Sequence, residues 1–81
     1  SLVKNIAKEN GSFNITANCL KLGYMDAGMT YNQVPDDLRE TIKNSIPAGV
    51  FGSINQVYNI CRTIIDNNYI NGATIRMAGG L

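Results

Sequence analysis

The chain has 81 residues, a net charge of +1 and 44% hydrophobic residues, which limits it to one small domain. Its seven basic and six acidic residues form no basic stripe or acidic tail, so nucleic acid and anionic membranes are poor candidate partners. No apolar run approaches the roughly 20 residues that span a bilayer. Lys4, Lys8 and Glu9 also interrupt any signal-peptide core, so we expect a cytoplasmic protein.

A chain this short buries only about 60–65% of the surface of its unfolded form, which makes its stability marginal. Domains of this size often depend on disulfides, a metal or a partner. The sequence has no histidine, and two cysteines alone cannot form a zinc site. We favour two reduced, core-facing thiols for Cys19 and Cys61 over the alternative, a disulfide between them.

The first predicted element is a helix over residues 1–9, followed by a stop at Asn10-Gly11. Its apolar side chains share one face at helical spacing: Leu2, Val3, Ile6 and Ala7. The helix begins without a predicted cap, and two helical turns are unstable alone in water. With Ser1 in place of an initiator methionine, this pattern suggests a segment cut from a longer helix.

Residues 13–21 alternate apolar and polar side chains, which predicts a β-strand. Leu20 and Leu22 add a second apolar face near its end, as in a strand covered on both sides. Residues 22–34 are predicted to form a loop of about 13 residues, a length typical of functional or disordered loops. Its larger side chains are expected to be exposed: Tyr24, Met25, Met29 and Tyr31.

Two further helices and a strand are predicted after this loop. Proline and two aspartates favour a helix from Pro35 to about Ser45, with Asp36 and Asp37 as charges at its start rather than an acid/base pair. Ser53 and Gln56 have the spacing of a capping box for the next helix, which ends near Asn67-Asn68. A turn at Asn71-Gly72 and a strand over residues 73–77 complete the chain.

The apolar arc of the helix that follows Ser53 is broad enough for more than one buried side. It comprises Ile54, Val57, Tyr58, Ile60, Cys61, Ile64 and Ile65. One side is expected to pack on the core. The second side is either further core or a subunit interface.

Three sets of residues, in order and spacing, carry a family resemblance. Asn18, Gly23, Met29 and Thr30 fit Asn-x-x-x-Pro-Gly and the Met-Thr that follows it; Ile46, Pro47 and Gly52 fit Ile-Pro-x-x-Arg-x-Gly; Tyr69, Ile70, Gly72, Gly79 and Gly80 fit Tyr-Ile-Thr-Gly…Gly-Gly. The chain thus resembles the carboxyl-terminal end of short-chain dehydrogenase/reductases. The resemblance implies an α/β fold: the carboxyl-terminal portion of a doubly wound, Rossmann-like parallel sheet in α-β-α-α-β order, incomplete on its own.

The resemblance also implies a parent enzyme that transfers hydride between NAD or NADP and an alcohol or carbonyl. It places cofactor contacts and a substrate lip on this chain: Gly23, Tyr24, Met25 and Ala27 for the cofactor, Met29 and Tyr31 for the lip. The family's last helix and strand pack on their counterparts across a two-fold axis, which implies interface roles for Ile64, Ile65 and Ile75. The implied partner is a second copy or the missing amino-terminal portion.

The family's phosphate-binding glycine turn and its catalytic Tyr-Lys pair would lie upstream of Ser1. No residue here inherits a catalytic role, so the isolated chain is expected to be inactive and to bind no cofactor. Three positions depart from the family: Leu22 for Pro, Ala27 for Thr and Ala78 for Asp. Without the hydroxyl at Ala27, only backbone groups of residues 23–27 remain for the cofactor. The parent therefore either holds its cofactor differently or has lost it.

Three hypotheses follow from the resemblance and its departures. The first is the carboxyl-terminal part of an NAD(P)-dependent oxidoreductase, supplying a lip over nicotinamide and substrate and part of an oligomer interface. The second is a non-catalytic binding or assembly module derived from that family, and the third is a proteolytic remnant. The loop over residues 22–34 is a ligand lip in the first and a plain connector otherwise. Asn18 is interpreted as a structural tie to neighbouring backbone.

Overall fold

The computed structural model describes the backbone of residues 1–81 and all side chains except those of Met29 and Thr30. Within that backbone the elements are α1 (Leu2–Asn10), β1 (Cys19–Leu22), α2 (Met29–Gln33), α3 (Asp36–Ser45), α4 (Ile54–Asp66) and β2 (Thr74–Met77), with a 3-10 turn at Gly11–Phe13. The fold class is α/β, as predicted. The order contains one short helix, α2, more than the predicted α-β-α-α-β.

The two strands form a parallel pair in which Cys19 lies opposite Thr74 and Leu22 opposite Met77. Backbone bonds extend the ladder at both ends, from Cys19 N to Ala73 O at 2.9 Å and from Gly23 N to Met77 O at 2.8 Å. Because parallel strands end at the same edge of a sheet, the segments that follow β1 and β2 lie side by side.

The predicted strand over residues 13–21 is wrong over its first six positions. Phe13 belongs to the 3-10 turn, and Asn14 adopts a left-handed conformation with φ 62°. The ladder begins only at Cys19, because the partner strand begins at Thr74. The alternating pattern of residues 13–17 therefore has no β-ladder to join on this chain.

Two asparagines tie the start of β1 to the turn before β2. The Asn18 side chain donates to the Ile70 carbonyl at 3.0 Å and accepts from the Ala73 amide at 2.9 Å. The Asn71 side chain accepts from the Ala17 amide at 3.0 Å. The structural interpretation of Asn18 is confirmed.

We expect Asn18→Ala to lower the free energy of unfolding by about 2–3 kcal/mol, because a half-buried carbonyl and an amide both lose their partner. The matched control is Asn68→Ala in the exposed turn after α4, which should change it by less than about 0.5 kcal/mol. Urea unfolding of the two variants measures the difference. Equal destabilisation by Asn18→Ala and Asn68→Ala would show that the hydrogen bonds of the Asn18 side chain do not stabilise the fold.

The three helices that were predicted begin and end close to their predicted limits. α1 is capped after all, because the Ser1 side chain accepts from the Lys4 amide. α3 starts with Pro35 at its cap and two aspartates in its first turn, and α4 has the predicted capping box, with Ser53 N donating to Gln56 Oε1 at 2.8 Å. Cys19 and Cys61 are free and half-buried, so the disulfide is not formed.

The chain has more surface than a compact domain of its mass. Among the described side chains only Ala7 and Ile46 are buried, at 6% and 4% exposure. The accessible surface is 6000 Å², about 1,200 Å² above the roughly 4,800 Å² expected of a folded 8.8 kDa monomer. The radius of gyration is 15.7 Å, against about 12 Å for a compact chain of this length. In the described part of the chain, no helix is long and apolar enough to cross a membrane.

Candidate functional site

The candidate site lies at the carboxyl ends of the two parallel strands, where open α/β sheets bind their ligands. A cleft of about 280 Å³ opens there, lined by Gly23, Tyr24, Met25, Ala27, Tyr31, Val34, Arg39, Ile42 and Phe51. The structure thus brings together five of the six predicted cofactor and substrate residues. The sixth, Met29, has its side chain outside the described set.

An adjoining cleft of about 260 Å³ shares Tyr24, Met25 and Phe51 with the first. Its other walls come from the loop before α4, from α4 itself and from the end of β2: Ile46, Ala48, Val50, Gly52, Gln56, Met77, Ala78 and Gly79. Most of these side chains are apolar. The two clefts therefore give the strand ends an apolar surface that extends from α3 to the carboxyl terminus.

Close packing of the strand ends depends on Gly23. A Cβ added there would lie 2.8 Å from the Ala78 Cα and 2.9 Å from the Ala78 Cβ. Distances this short have no counterpart among real Cβ contacts, and one of the atoms is backbone, which cannot rotate away. The family's glycine is therefore required here for contact between β1 and β2, beside the floor of the cleft.

The backbone after β1 is already partly paired. Met25 forms an isolated parallel bridge with Gly52, in which Gly52 N donates to Tyr24 O at 3.0 Å and Asp26 N donates to Gly52 O at 2.9 Å. The Tyr24 carbonyl and the Asp26 amide are therefore already engaged within the chain. Among the described residues, none accepts a hydrogen bond from the amides of Tyr24, Met25 or Ala27.

The prediction of a loop over residues 22–34 is wrong where the chain forms α2. Gly28 precedes this helix with φ 98° and ψ 170°, a backbone conformation that suits glycine. A five-residue helix is too short to be stable alone, so tertiary contacts must hold it. Tyr31 supplies them, and it is half-buried rather than exposed as expected.

The Tyr31 ring meets two groups from outside α2. Its centroid lies 5.4 Å from that of Phe51 with the planes at 86°, the edge-to-face arrangement that aromatic pairs favour. The Arg39 guanidinium lies 4.8 Å from the same centroid. Met25 is also half-buried, whereas Tyr24 is exposed as predicted.

Sequence reasoning missed Phe51 and Arg39 as site residues. Phe51 directly precedes Gly52, which the family pattern marks, and Arg39 follows Asp36 by three residues, the spacing of neighbours on one helix face. These were the available signals. Neither signal shows that Phe51 and Arg39 both contact Tyr31, because the three residues lie in separate parts of the chain.

The two predicted interface residues of α4 differ in exposure. Ile64 is half-buried, as are Val57 and Ile60. Ile65 is 75% exposed and lies along a second stripe with Ile54 and Tyr58, each 64% exposed. Successive helical residues point about 100° apart, so Ile64 faces the rest of this chain while Ile65 faces outward. Ile75, in β2, is half-buried.

One ion pair on α3 lies beside the cleft. Asp36 is paired with Arg39 at 2.9 Å and is almost fully exposed. A pair this exposed contributes little to stability, which favours a helix-start role for Asp36 over acid/base chemistry. Among the described side chains, no cluster of histidine, cysteine, aspartate or glutamate could hold a metal ion.

Comparison with known proteins identifies relatives over the whole chain. The family described as enoyl-(acyl carrier protein) reductase matches residues 1–81. Nodulation protein G of Rhizobium sp. (strain N33) is 32% identical over 80 residues, covering 96% of this chain and 32% of that protein. The 3-oxoacyl-(acyl-carrier-protein) reductase FabG of Thermotoga maritima is 32% identical over 82 residues, covering 99% of this chain and 33% of that protein.

A solved structure with a similar fold is that of YwfH, described as an NADPH dependent reductase involved in bacilysin biosynthesis. It superposes with a TM-score of 0.85 at 28% identity, covering 98% of this chain and 34% of YwfH. The chain therefore spans about a third of the length of the relatives it matches.

Proposed function

Because the chain belongs to the short-chain dehydrogenase/reductase family, we propose that it is the carboxyl-terminal part of an NAD(P)-dependent reductase. Its role there is to supply the lip over nicotinamide and substrate and part of the subunit interface. The observation that carries this proposal is the apolar cleft at the carboxyl ends of β1 and β2. Gly23, Tyr24, Met25, Ala27 and Tyr31 surround that cleft together.

The residues of the cleft fit the nicotinamide end of such a cofactor. The amides of Met25 and Ala27 are available donors, and the apolar wall suits a planar ring that must be kept from water. When bound, the cofactor supplies hydride to a carbonyl or accepts it from an alcohol. The chain's own residues bind the ring through backbone donors and hold water out of the cleft.

The substrate proposed is a carbonyl compound with an apolar portion. The wall opposite the strand ends is formed by Val34, Ile42 and Phe51, which offer apolar contact and few polar groups. Several relatives, the Thermotoga maritima protein among them, are named as 3-oxoacyl-(acyl-carrier-protein) reductases, a name that implies a carbonyl on an acyl chain. Hydride transfer to such a carbonyl is the reaction class that we propose for the complete protein.

The remainder of the parent protein and a second copy are the proposed partners. The roughly 1,200 Å² of surface beyond that of a compact monomer has the scale of a stable contact. We propose that the amino-terminal portion extends the sheet beside β1. The exposed stripe of α4 is then left for the second copy, in a cytoplasmic enzyme.

A non-catalytic binding or assembly module is the second candidate, and one position favours it. Ala27 lies on the cleft but offers no hydroxyl where the family has threonine. A protein that had stopped using its cofactor would keep its packing residues and lose such a group. The two candidates differ in whether the complete protein binds a nicotinamide cofactor.

Fluorescence titration with NADH and NADPH tests the proposal. We expect the complete protein to bind one of them with a dissociation constant below about 0.1 mM, roughly −5.5 kcal/mol. The isolated 81-residue chain should show no saturable binding, because phosphate recognition belongs to a glycine-rich turn that this chain lacks. Ala27→Thr in the complete protein should tighten binding. Failure of the complete protein to bind either cofactor would refute the enzyme hypothesis and favour the assembly module.

A further inference from the structure

The Arg39 side chain makes three contacts, of which two reach the lip and one lies within α3. Its Nε donates to the Val34 carbonyl at 3.0 Å, its Nη2 pairs with Asp36 at 2.9 Å, and its guanidinium lies over the Tyr31 ring. The side chain is 29% exposed. An arginine fork that is held at several points loses less freedom per hydrogen bond than a flexible ammonium would.

Two of these contacts hold α2, one at the middle of the helix and one at its carboxyl end. Val34 is the residue that caps α2 at its carboxyl end, and its carbonyl is the group that Arg39 binds. Tyr31 is the α2 residue that reaches the neighbouring elements. Arg39 therefore joins α2 to the much longer α3, whose own helical bonds do not depend on the lip.

We infer that Arg39 is a positioning residue that fixes α2 against α3 and so sets the position of the lip over the cleft. Its side chain also lines the cleft, but the inferred role acts through Tyr31 and Val34 and needs no ligand. The inference rests on the proposed function in one respect: the lip has a substrate to cover only if the complete protein is a reductase. The contact itself is independent of any ligand.

Hydrogen exchange of the complete protein without ligands tests the contact. The Asn32 amide donates to Gly28 O and the Val34 amide to Tyr31 O, both at 3.3 Å, so their exchange reports opening of α2. In Arg39→Gln we expect exchange over residues 29–34 to accelerate about tenfold, with the melting temperature unchanged. Arg39→Lys keeps the charge but not the fork, and should accelerate it at least about threefold.

The matched control is Arg62→Gln. Arg62 forms a similar pair with Asp66 at 3.2 Å, on α4 and outside the lip, so its loss should leave exchange over residues 29–34 unchanged. Unchanged exchange in Arg39→Gln would overturn the inference. Accelerated exchange throughout the protein with a lowered melting temperature would also overturn it, because Arg39 would then support the whole fold. Wild-type protection in Arg39→Lys would exclude the fork as the cause.

Kinetics of the complete protein then separate the inference from the proposed function. If the lip covers the substrate, Arg39→Gln should raise KM for a carbonyl substrate at least about fivefold and change kcat by less than about twofold. Accelerated exchange without any nicotinamide-dependent turnover would support the contact and refute the reductase. Turnover with wild-type exchange and KM would support the reductase and refute the role of Arg39.

Discussion

Gly23→Ala should lower the free energy of unfolding of the complete protein by about 3 kcal/mol and weaken cofactor binding. The added Cβ would stand 2.8 Å from the Ala78 Cα, so the backbone just after β2 and the backbone just after β1 would have to move apart. Overpacking of this kind typically costs about 1–3 kcal/mol, and a contact with backbone belongs at the upper end. Such movement also displaces Tyr24 and Met25, which line both clefts.

The matched control for this substitution is Gly11→Ala. Gly11 has an ordinary helical conformation with φ −59°, and its added Cβ would meet its nearest neighbour, the Asn71 side chain, at an unstrained 3.6 Å. That variant should be neutral or stabilising by up to about 1 kcal/mol. The double variant Gly23→Ala/Ala78→Gly removes one of the two close contacts and should recover part of the loss. Chemical denaturation that gives Gly11→Ala and Gly23→Ala equal stability would contradict the packing role of Gly23.

The elements that sequence reasoning located correctly are those with local signals. The capping box at Ser53 and Gln56 depends on two side chains three residues apart, and the start of α3 depends on proline and two aspartates in its first turn. A residue and its near neighbours decide such features. This is why their boundaries could be predicted to within one or two residues without knowledge of the fold.

The elements that were predicted wrongly depend on distant contacts. Residues 13–18 alternate like a strand, but they have no partner strand within this chain, and Asn14 turns the backbone instead. α2 has no capping side chain and only five residues, so it depends on the approach of Phe51 and Arg39 to Tyr31. A pattern within residues 22–34 could not predict contacts made from outside them.

The family pattern predicted several residues that line the cleft, but it did not predict how they pack against the rest of the chain. The family pattern identified Gly23 and its neighbours, and the parallel pairing of β1 with β2 explains why they meet the end of β2. The spacing of Gly23 and Ala78 along the chain gives no sign that their atoms would collide. In the same way, the family's two-fold packing implied one interface through Ile64 and Ile65, and gave no sign that the two side chains differ in exposure on this chain.

Because Ile64 is half-buried and Ile65 is exposed, we expect substitutions at these two positions to have different effects. The stripe of Ile54, Tyr58 and Ile65 is exposed, and a second copy related by a two-fold axis would bury the same stripe on both protomers. Burying one such side chain is worth about 1.5–3 kcal/mol. The strand order β1-β2 also leaves one edge of β2 open for pairing. We therefore expect the complete protein to be a dimer or higher assembly.

Ile65→Asp should dissociate this assembly and leave folded protomers. Two isoleucines are lost from a two-fold contact and two carboxylates replace them, so we expect a loss of at least about 4 kcal/mol, a roughly thousandfold weaker association. Ile64→Asp instead places a charge on the inner face and should unfold the protein. Asn59→Asp adds the same charge to an exposed position on α4 outside both stripes and is the control.

Sedimentation velocity at micromolar concentration measures the oligomeric state of the three variants, and circular dichroism measures whether each is folded. The expected pattern is a folded monomer for Ile65→Asp, an unfolded chain for Ile64→Asp and a wild-type assembly for Asn59→Asp. A wild-type protein that sediments as a stable monomer would refute the interface. An Ile64→Asp variant that is folded and monomeric would show that Ile64 lies at the interface rather than in the core, and α4 would then present its inner face to the second copy.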